Sequence, residues 1–184
     1  TNVKRVYARE RGQSFPETDG MITDVPGICL VTSYADCVPL YFVDPVKKVI
    51  GLSHSGWRGT VGKIGKVTVE KMEEEFGCDP ADILGAVGPS ICQDCYEVSE
   101  DVIKKFRENY DENLWPEIFY QKEDGKYQLN LWKANEFVFL ESGILPEHIA
   151  VTNVCTHCNP DILFSHRATG NERGTLSAFL ALKK

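Results

Sequence analysis

No stretch of the chain approaches the run of about 18 apolar residues that a membrane-spanning helix needs, so no segment reads as a span. Positive charge is scarce as well: 20 Lys and Arg stand against 27 Asp and Glu, for a net charge of −7. A nucleic-acid binder normally shows a basic face, so nucleic acid is excluded as the expected partner. Histidine is limited to four residues, and the blue-copper pattern of two His, one Cys and a weak axial ligand is not found. Linkers, repeats and low-complexity tracts are missing too, so residues 1–184 read as one domain, long enough to bury a sizeable core. The seven cysteines are an odd number, and two of them (Cys29, Cys37) lie inside apolar, strand-like segments. That pattern suits a reducing compartment better than a disulfide framework, so the expected location is the cytoplasm. No signal peptide is visible and the first residue is Thr1 rather than Met, so the natural N-terminal segment is expected to be missing. Nothing in the sequence sets the oligomeric state.

What is present interleaves strands and helices. Val3–Tyr7 alternates like a strand, and a polar loop over 9–18 follows. Residues 27–32 form an apolar, β-branched run of the kind expected in a strand buried on both faces. Val61, Ile64, Thr68, Met72 and Phe76 recur every three to four residues, which predicts an amphipathic helix stopped by Gly77. Gly62 and Gly65 near its start weaken helix propensity by ~1 kcal/mol each and imply close approach to a ligand or a strand. Further along, Ile83–Val87 reads as a strand and Ser99 as the N-cap of a helix over Val102, Ile103 and Phe106. Residues 118–130 read as a hairpin, residues 131–143 as a helix, and residues 149–154, 162–165 and 177–182 as strands. The fold class is α/β, with mixed sheets in one domain.

The most informative stretch is Ala35-Asp36-Cys37-Val38-Pro39-Leu40 with His54-Ser55-Gly56-Trp57-Arg58-Gly59. Between them, two apolar runs flank an Asp44-Pro45 turn, so a hairpin brings Cys37 and His54 to the same end. A thiol beside an imidazole can ligate Zn²⁺, or can serve as a nucleophile activated by its histidine. A buried structural Cys next to a satisfied His accounts for the same spacing. Arg58 adds a fixed positive charge suited to a phosphate or carboxylate, and a helix starting just after it would aim unpaired N–H groups at the same place. Asp36 falls on the opposite strand face from Cys37 and can orient His54 only if the strand ends or bulges there.

These two segments resemble the YfiH/laccase-domain family, once called multicopper polyphenol oxidases. Further matching motifs are Asp19-Gly20-Met21-Ile22-Thr23, Gly88-Pro89-Ser90-Ile91, Cys95-Tyr96-Glu97-Val98, Cys155-Thr156 and the run Asn159 to Arg167. The resemblance runs from Asp19 to the C-terminus, and it sharpens the fold to a single-domain α/β/β/α layered sandwich. It implies a zinc-dependent purine nucleoside phosphorylase with adenosine deaminase side activity. Adenosine, inosine and methylthioadenosine are the implied nucleosides and phosphate the co-substrate; zinc is favoured over copper. It further implies Cys37 and His54 as metal ligands, Arg58 as a catalytic and phosphate-binding residue, and Arg167 as a second binding residue. The segment Ser165-His166-Arg167-Ala168-Thr169 departs from the family's pattern, where Tyr usually stands at 166 and Arg-Asp at 168–169. A third zinc ligand, a His, lies in the family before the strand corresponding to Val3–Tyr7, so it is expected in the missing segment. The alternatives are a metal-free cysteine hydrolase or deamidase using Cys37 and His54, and a non-catalytic zinc-binding module.

Two Cys-x-x-Cys pairs, Cys92/Cys95 and Cys155/Cys158, remain. The gap of 59 residues between them is far longer than a zinc ribbon uses, so they read as unrelated thiols, with a second, structural metal site as the other reading. His148 reads as an exposed loop residue.

Overall fold

The computed structural model describes residues 1–183. Its strands are β1 (Val3–Arg5), β2 (Gly20–Thr23), β3 (Cys29–Tyr34), β4 (Val38–Asp44), β5 (Val49–Ser55), β6 (Leu84–Val87), β7 (Glu97–Val98), β8 (Phe119–Gln121), β9 (Tyr127–Leu129), β10 (Ile149–Val151) and β11 (Leu176–Ala181). The helices are α1 (Trp57–Val61), α2 (Ile64–Phe76), α3 (Glu100–Asn109), α4 (Trp115–Ile118), α5 (Leu131–Glu141) and α6 (His166–Thr169).

The main sheet has six strands in the order β1-β2-β5-β4-β6-β10. Its two outer pairs are parallel and its inner pairs antiparallel, so the sheet is mixed, as the interleaved pattern implies. On one face α2 and α5 cover Ile22, Leu40, Phe42 and Val87. On the other, the antiparallel pair β3–β11 packs Leu30, Tyr34 and Ala178 onto Ile50 and Leu52 of β5. Helices, main sheet and outer ribbon are thus successive α, β and β layers, and the central β4–β5 hairpin is buried from both sides.

Three expectations need correction. β3 is buried on one face only, with Cys29 and Val31 exposed, because only β11 shares its layer and its outer face meets solvent. Residues 162–165 form turn and irregular backbone instead of a strand, leaving Ile162 77% exposed. The apolar stripe from Val61 to Phe76 does not run through one helix: Lys63 adopts φ 51° and separates α1 from α2. Gly77, at φ 63°, does end α2. Gly65 faces neither ligand nor strand. A Cβ there would meet Val138 Cγ1 at 3.1 Å and Phe139 Cε1 at 3.3 Å, so the glycine lets α2 and α5 pack closely.

Candidate functional site

The register of the hairpin places Pro39 opposite His54 and Val38 opposite Ser55. Cys37, two residues before Pro39, therefore shares its face with His54 as a diagonal neighbour. The space between them is kept open by Gly56. A methyl group built on Gly56 would lie 3.0 Å from Cys37 Sγ and 3.9 Å from His54 Nε2. Both side chains are half-buried.

Neighbouring segments fix this geometry. The His54 backbone N–H donates to the Asp19 carbonyl at 2.7 Å, and the edge of the Tyr34 ring packs against the imidazole at 5.0 Å. The next residue, Ser55, is fully buried and shares hydrogen bonds with Thr60 of α1 and Asn135 of α5. That network sets the direction in which Trp57 and Arg58 leave the strand. α1 is only five residues long, so the expected helix-terminus contribution to anion binding does not carry; the charge at this end comes from side chains. Arg58 is exposed and its guanidinium lies 4.2 Å from the Trp57 ring centre, stacked on its neighbour in sequence. In a helix a long side chain can fold back over its neighbour.

Asp36 does not orient His54. The chain between β3 and β4 bends, with Asp36 at φ 77°, and its buried carboxylate turns the other way. It accepts from Thr156 Oγ1 at 2.6 Å and from the Arg167 backbone N–H at 2.7 Å. Arg167 is thereby held near the site by its backbone, while its guanidinium donates to the Glu97 carbonyl at 2.9 Å and lies 5.1 Å from the Tyr96 ring centre.

The electrostatics of the pair are those of a neutral site. Burial, with the neighbouring Asp36 charge, pushes the Cys37 thiol up, against an opposing pull from Arg173. Burial holds the His54 imidazole below its ordinary value, with Asp19 opposing. Two residues that the sequence reading did not single out for the site stand here. Tyr96 is pushed up to about 12, first by burial and then by Cys37, with Arg167 and Arg58 pulling the other way. Arg173, in the loop before β11, has its Nε buried without a hydrogen-bond partner. Tyr96 was signalled only by its place after Cys95 in a matching motif, and Arg173 had no signal at all.

A cleft of roughly 500 Å³ opens on the His54 side of the pair, and Cys37 does not line it. Its walls come from the loop over 10–15 and from β3, and His54 lines it with Asp19 and Met21. That volume is ordinary for a small-molecule site.

Zinc prefers thiolate and imidazole donors, so Cys37 and His54 fit it as two of the three protein ligands of a catalytic site. Among the described residues, no third His, Cys, Asp or Glu joins them in a group close enough to hold an ion. His148, the last residue of a one-turn helix directly before β10, is half-buried instead of exposed. The two Cys-x-x-Cys pairs are not unrelated thiols: the sulfurs of Cys92, Cys95, Cys155 and Cys158 all lie within 4.8 Å of one another. The loops after β6 and β10 meet at a parallel bridge between Ser90 and Cys155, which closes the long sequence gap.

Residues 1–183 match the family model described as multi-copper polyphenol oxidoreductase laccase. The chain is similar to purine nucleoside phosphorylase YlmD of Bacillus subtilis (strain 168), 35% identical over 99% of this chain and 67% of that protein. It is also similar to adenosine deaminase RL5 of an unknown prokaryotic organism, 35% identical over 90% of this chain and 62% of that protein. The crystal structure of the Bacillus licheniformis hypothetical protein YfiH superposes with a TM-score of 0.94, at 33% identity, over 99% of this chain and 70% of that one. The chain thus spans about two thirds of the length of the curated relatives it matches. With a family model covering residues 1–183 and the layered fold shared at that TM-score, the chain belongs to the YfiH-like multi-copper polyphenol oxidoreductase laccase family.

Proposed function

We propose that this protein is a zinc-dependent purine nucleoside phosphorylase that also deaminates adenosine. The observation that carries the reading is the convergence of Cys37 Sγ and His54 Nε2 on the space over Gly56, in a chain that aligns over 99% of its length with a phosphorylase. In phosphorolysis a phosphate oxygen attacks C1′ of the nucleoside, the glycosidic bond breaks, and ribose 1-phosphate and the free base leave. In deamination water replaces the 6-amino group of adenosine and ammonia leaves.

Cys37 and His54 would hold the zinc, which when bound supplies Lewis acidity to an oxygen nucleophile. The remaining work falls to residues of the chain. Arg58, exposed at the end of the hairpin, pairs with the phosphate dianion. Arg167 is the second candidate contact, reaching the anion if its guanidinium leaves the Glu97 carbonyl. Tyr96 is protonated at neutral pH, as a tyrosine at its ordinary value already is, and burial lifts it further to about 12, so its hydroxyl can donate to a ligand oxygen. The cleft beside His54 takes the nucleoside.

The metal-free cysteine hydrolase reading finds less support. A nucleophilic pair needs a thiolate next to an imidazolium, whereas here the thiol is pushed up and the imidazole down. Zinc-loaded protein incubated with inosine or adenosine is expected to release the free base and ribose 1-phosphate only when phosphate is present. Adenosine is expected to yield inosine without phosphate. Turnover that survives complete zinc removal would instead support the cysteine hydrolase. Full zinc loading with no turnover of either nucleoside would leave the non-catalytic module.

A further inference from the structure

We propose that Cys92, Cys95, Cys155 and Cys158 form a closed structural site for one zinc ion, separate from Cys37 and His54. This site does not depend on the phosphorylase reading.

Size is the first argument. Four thiolates at ~2.3 Å from one zinc in a tetrahedron stand about 3.8 Å from each other. The four sulfurs here all lie within 4.8 Å of one another, and Cys95 Sγ and Cys158 Sγ are 3.4 Å apart. An iron–sulfur cluster spreads its thiolates over several metal atoms and needs a wider cage. A disulfide would bring two sulfurs to ~2.05 Å and leave the other two without purpose; all seven cysteines are free.

Local backbone is the second argument. Each pair sits on a tight turn: Cys95 N–H returns to the Cys92 carbonyl at 3.2 Å, and Asn159 Nδ2 donates to the Cys155 carbonyl at 2.8 Å. The Cys92 backbone N–H points at Cys155 Sγ at 3.3 Å, an N–H···S contact that stabilises a thiolate. None of the four belongs to either apolar core cluster, so packing does not explain their meeting. Four protein donors also leave no open coordination position, which makes the site structural instead of catalytic.

Placement is the third. The loops it joins reach the Cys37/His54 region on both sides. Thr156, next to Cys155, donates to Asp36, the neighbour of Cys37. Tyr96, next to Cys95, packs under Arg167. Apart from the metal, the two loops are tied through Ser90, whose N–H donates to the Val154 carbonyl and whose carbonyl accepts from Thr156, both at 3.1 Å. A zinc clip would hold one wall of the site in place.

The test is metal content of the purified chain by elemental analysis, after dialysis against a chelator of moderate strength. About one zinc per chain is expected in the wild type and in the Cys37→Ala/His54→Ala double variant. At least a tenfold drop is expected in Cys95→Ser/Cys158→Ser. Because that last variant can fail to fold, X-ray absorption at the zinc edge of the dialysed wild type, which retains one zinc per chain, gives an independent reading, with four sulfur scatterers near ~2.3 Å expected. Nitrogen in the shell, loss of the retained zinc with Cys37 and His54, or iron in place of zinc would overturn the assignment. So would a metal-free folded chain whose four thiols react freely with a thiol reagent, or a Cys95–Cys158 disulfide seen by mass spectrometry under reducing purification.

Discussion

Asp36 shows how much a single residue can hold together. Its backbone sits in the left-handed region, its carbonyl accepts from Ile91, and its buried carboxylate takes one bond from Thr156 and one from the Arg167 backbone. Hydrogen bonds to a charged group contribute about 1.5–3 kcal/mol. Asp36→Ala loses two such bonds and is therefore expected to lower unfolding stability by at least about 3 kcal/mol in urea titration, and to lower turnover because Cys37 and Arg167 lose their shared anchor. Arg58→Ala should behave differently, since an exposed guanidinium stacked on Trp57 supports little of the fold. Losing a charge-assisted contact of about 1.5–3 kcal/mol predicts a rise of roughly ten- to a hundred-fold in the phosphate KM. Deamination, which needs no anion, should change far less; equal loss of both activities would move Arg58 from phosphate to the fold or the purine. The proximity of Cys37 and His54 could be read in the sequence because a hairpin needs only alternation and a turn to bring its ends together. The meeting of Cys92/Cys95 with Cys155/Cys158 could not, because it depends on a bridge between Ser90 and Cys155 that no local pattern announces.

Among the elements, α2 and α5 were legible from their 3.6-residue period, and both end close to their glycines. The burial of β3 was not, since a run of β-branched residues looks the same whether one face or two is covered. Gly65 tests how tightly the two helices pack. Alanine there gains about 1 kcal/mol of helix propensity, but its methyl would crowd Val138 and Phe139, and overpacking costs about 1–3 kcal/mol. Net destabilisation of up to about 2 kcal/mol is expected for Gly65→Ala; a more stable variant would mean the helices separate easily. On the β7–β9 side, Glu97 is paired with Lys122 and with Lys126 at 2.6 Å, which holds its carboxyl at about 2. A depressed carboxylate stabilises the fold above its unfolded value and loses that contribution as pH falls towards the folded one. The melting temperatures of wild type and Glu97→Gln should thus differ at pH 7 and converge between about pH 4.5 and 2. Because the group is solvent-accessible, the gap is expected to be small and to shrink with added salt.

For the whole molecule, the layering follows from which faces are apolar: the central β4–β5 hairpin is covered on both sides, and Cys37, His54 and Arg58 lie at its open end. Two metal positions at that end would differ in ligand number, and the difference can be measured. Cys37 and His54 offer two protein donors, while the four-cysteine group offers four. A chelator of moderate strength is expected to remove the ion from the first and abolish turnover while leaving the melting temperature almost unchanged. A strong chelator should then strip the second and lower the melting temperature. Binding at a thousandfold excess over Kd stabilises the folded state by about 4 kcal/mol, and each kcal/mol shifts a domain of this size by about 2–4 °C. A fall of roughly ten degrees is therefore expected at the second step, together with loss of one zinc per chain. Activity and melting temperature falling together, at one chelator concentration and with a single zinc released, would mean that one metal serves both roles and that the four cysteines hold none.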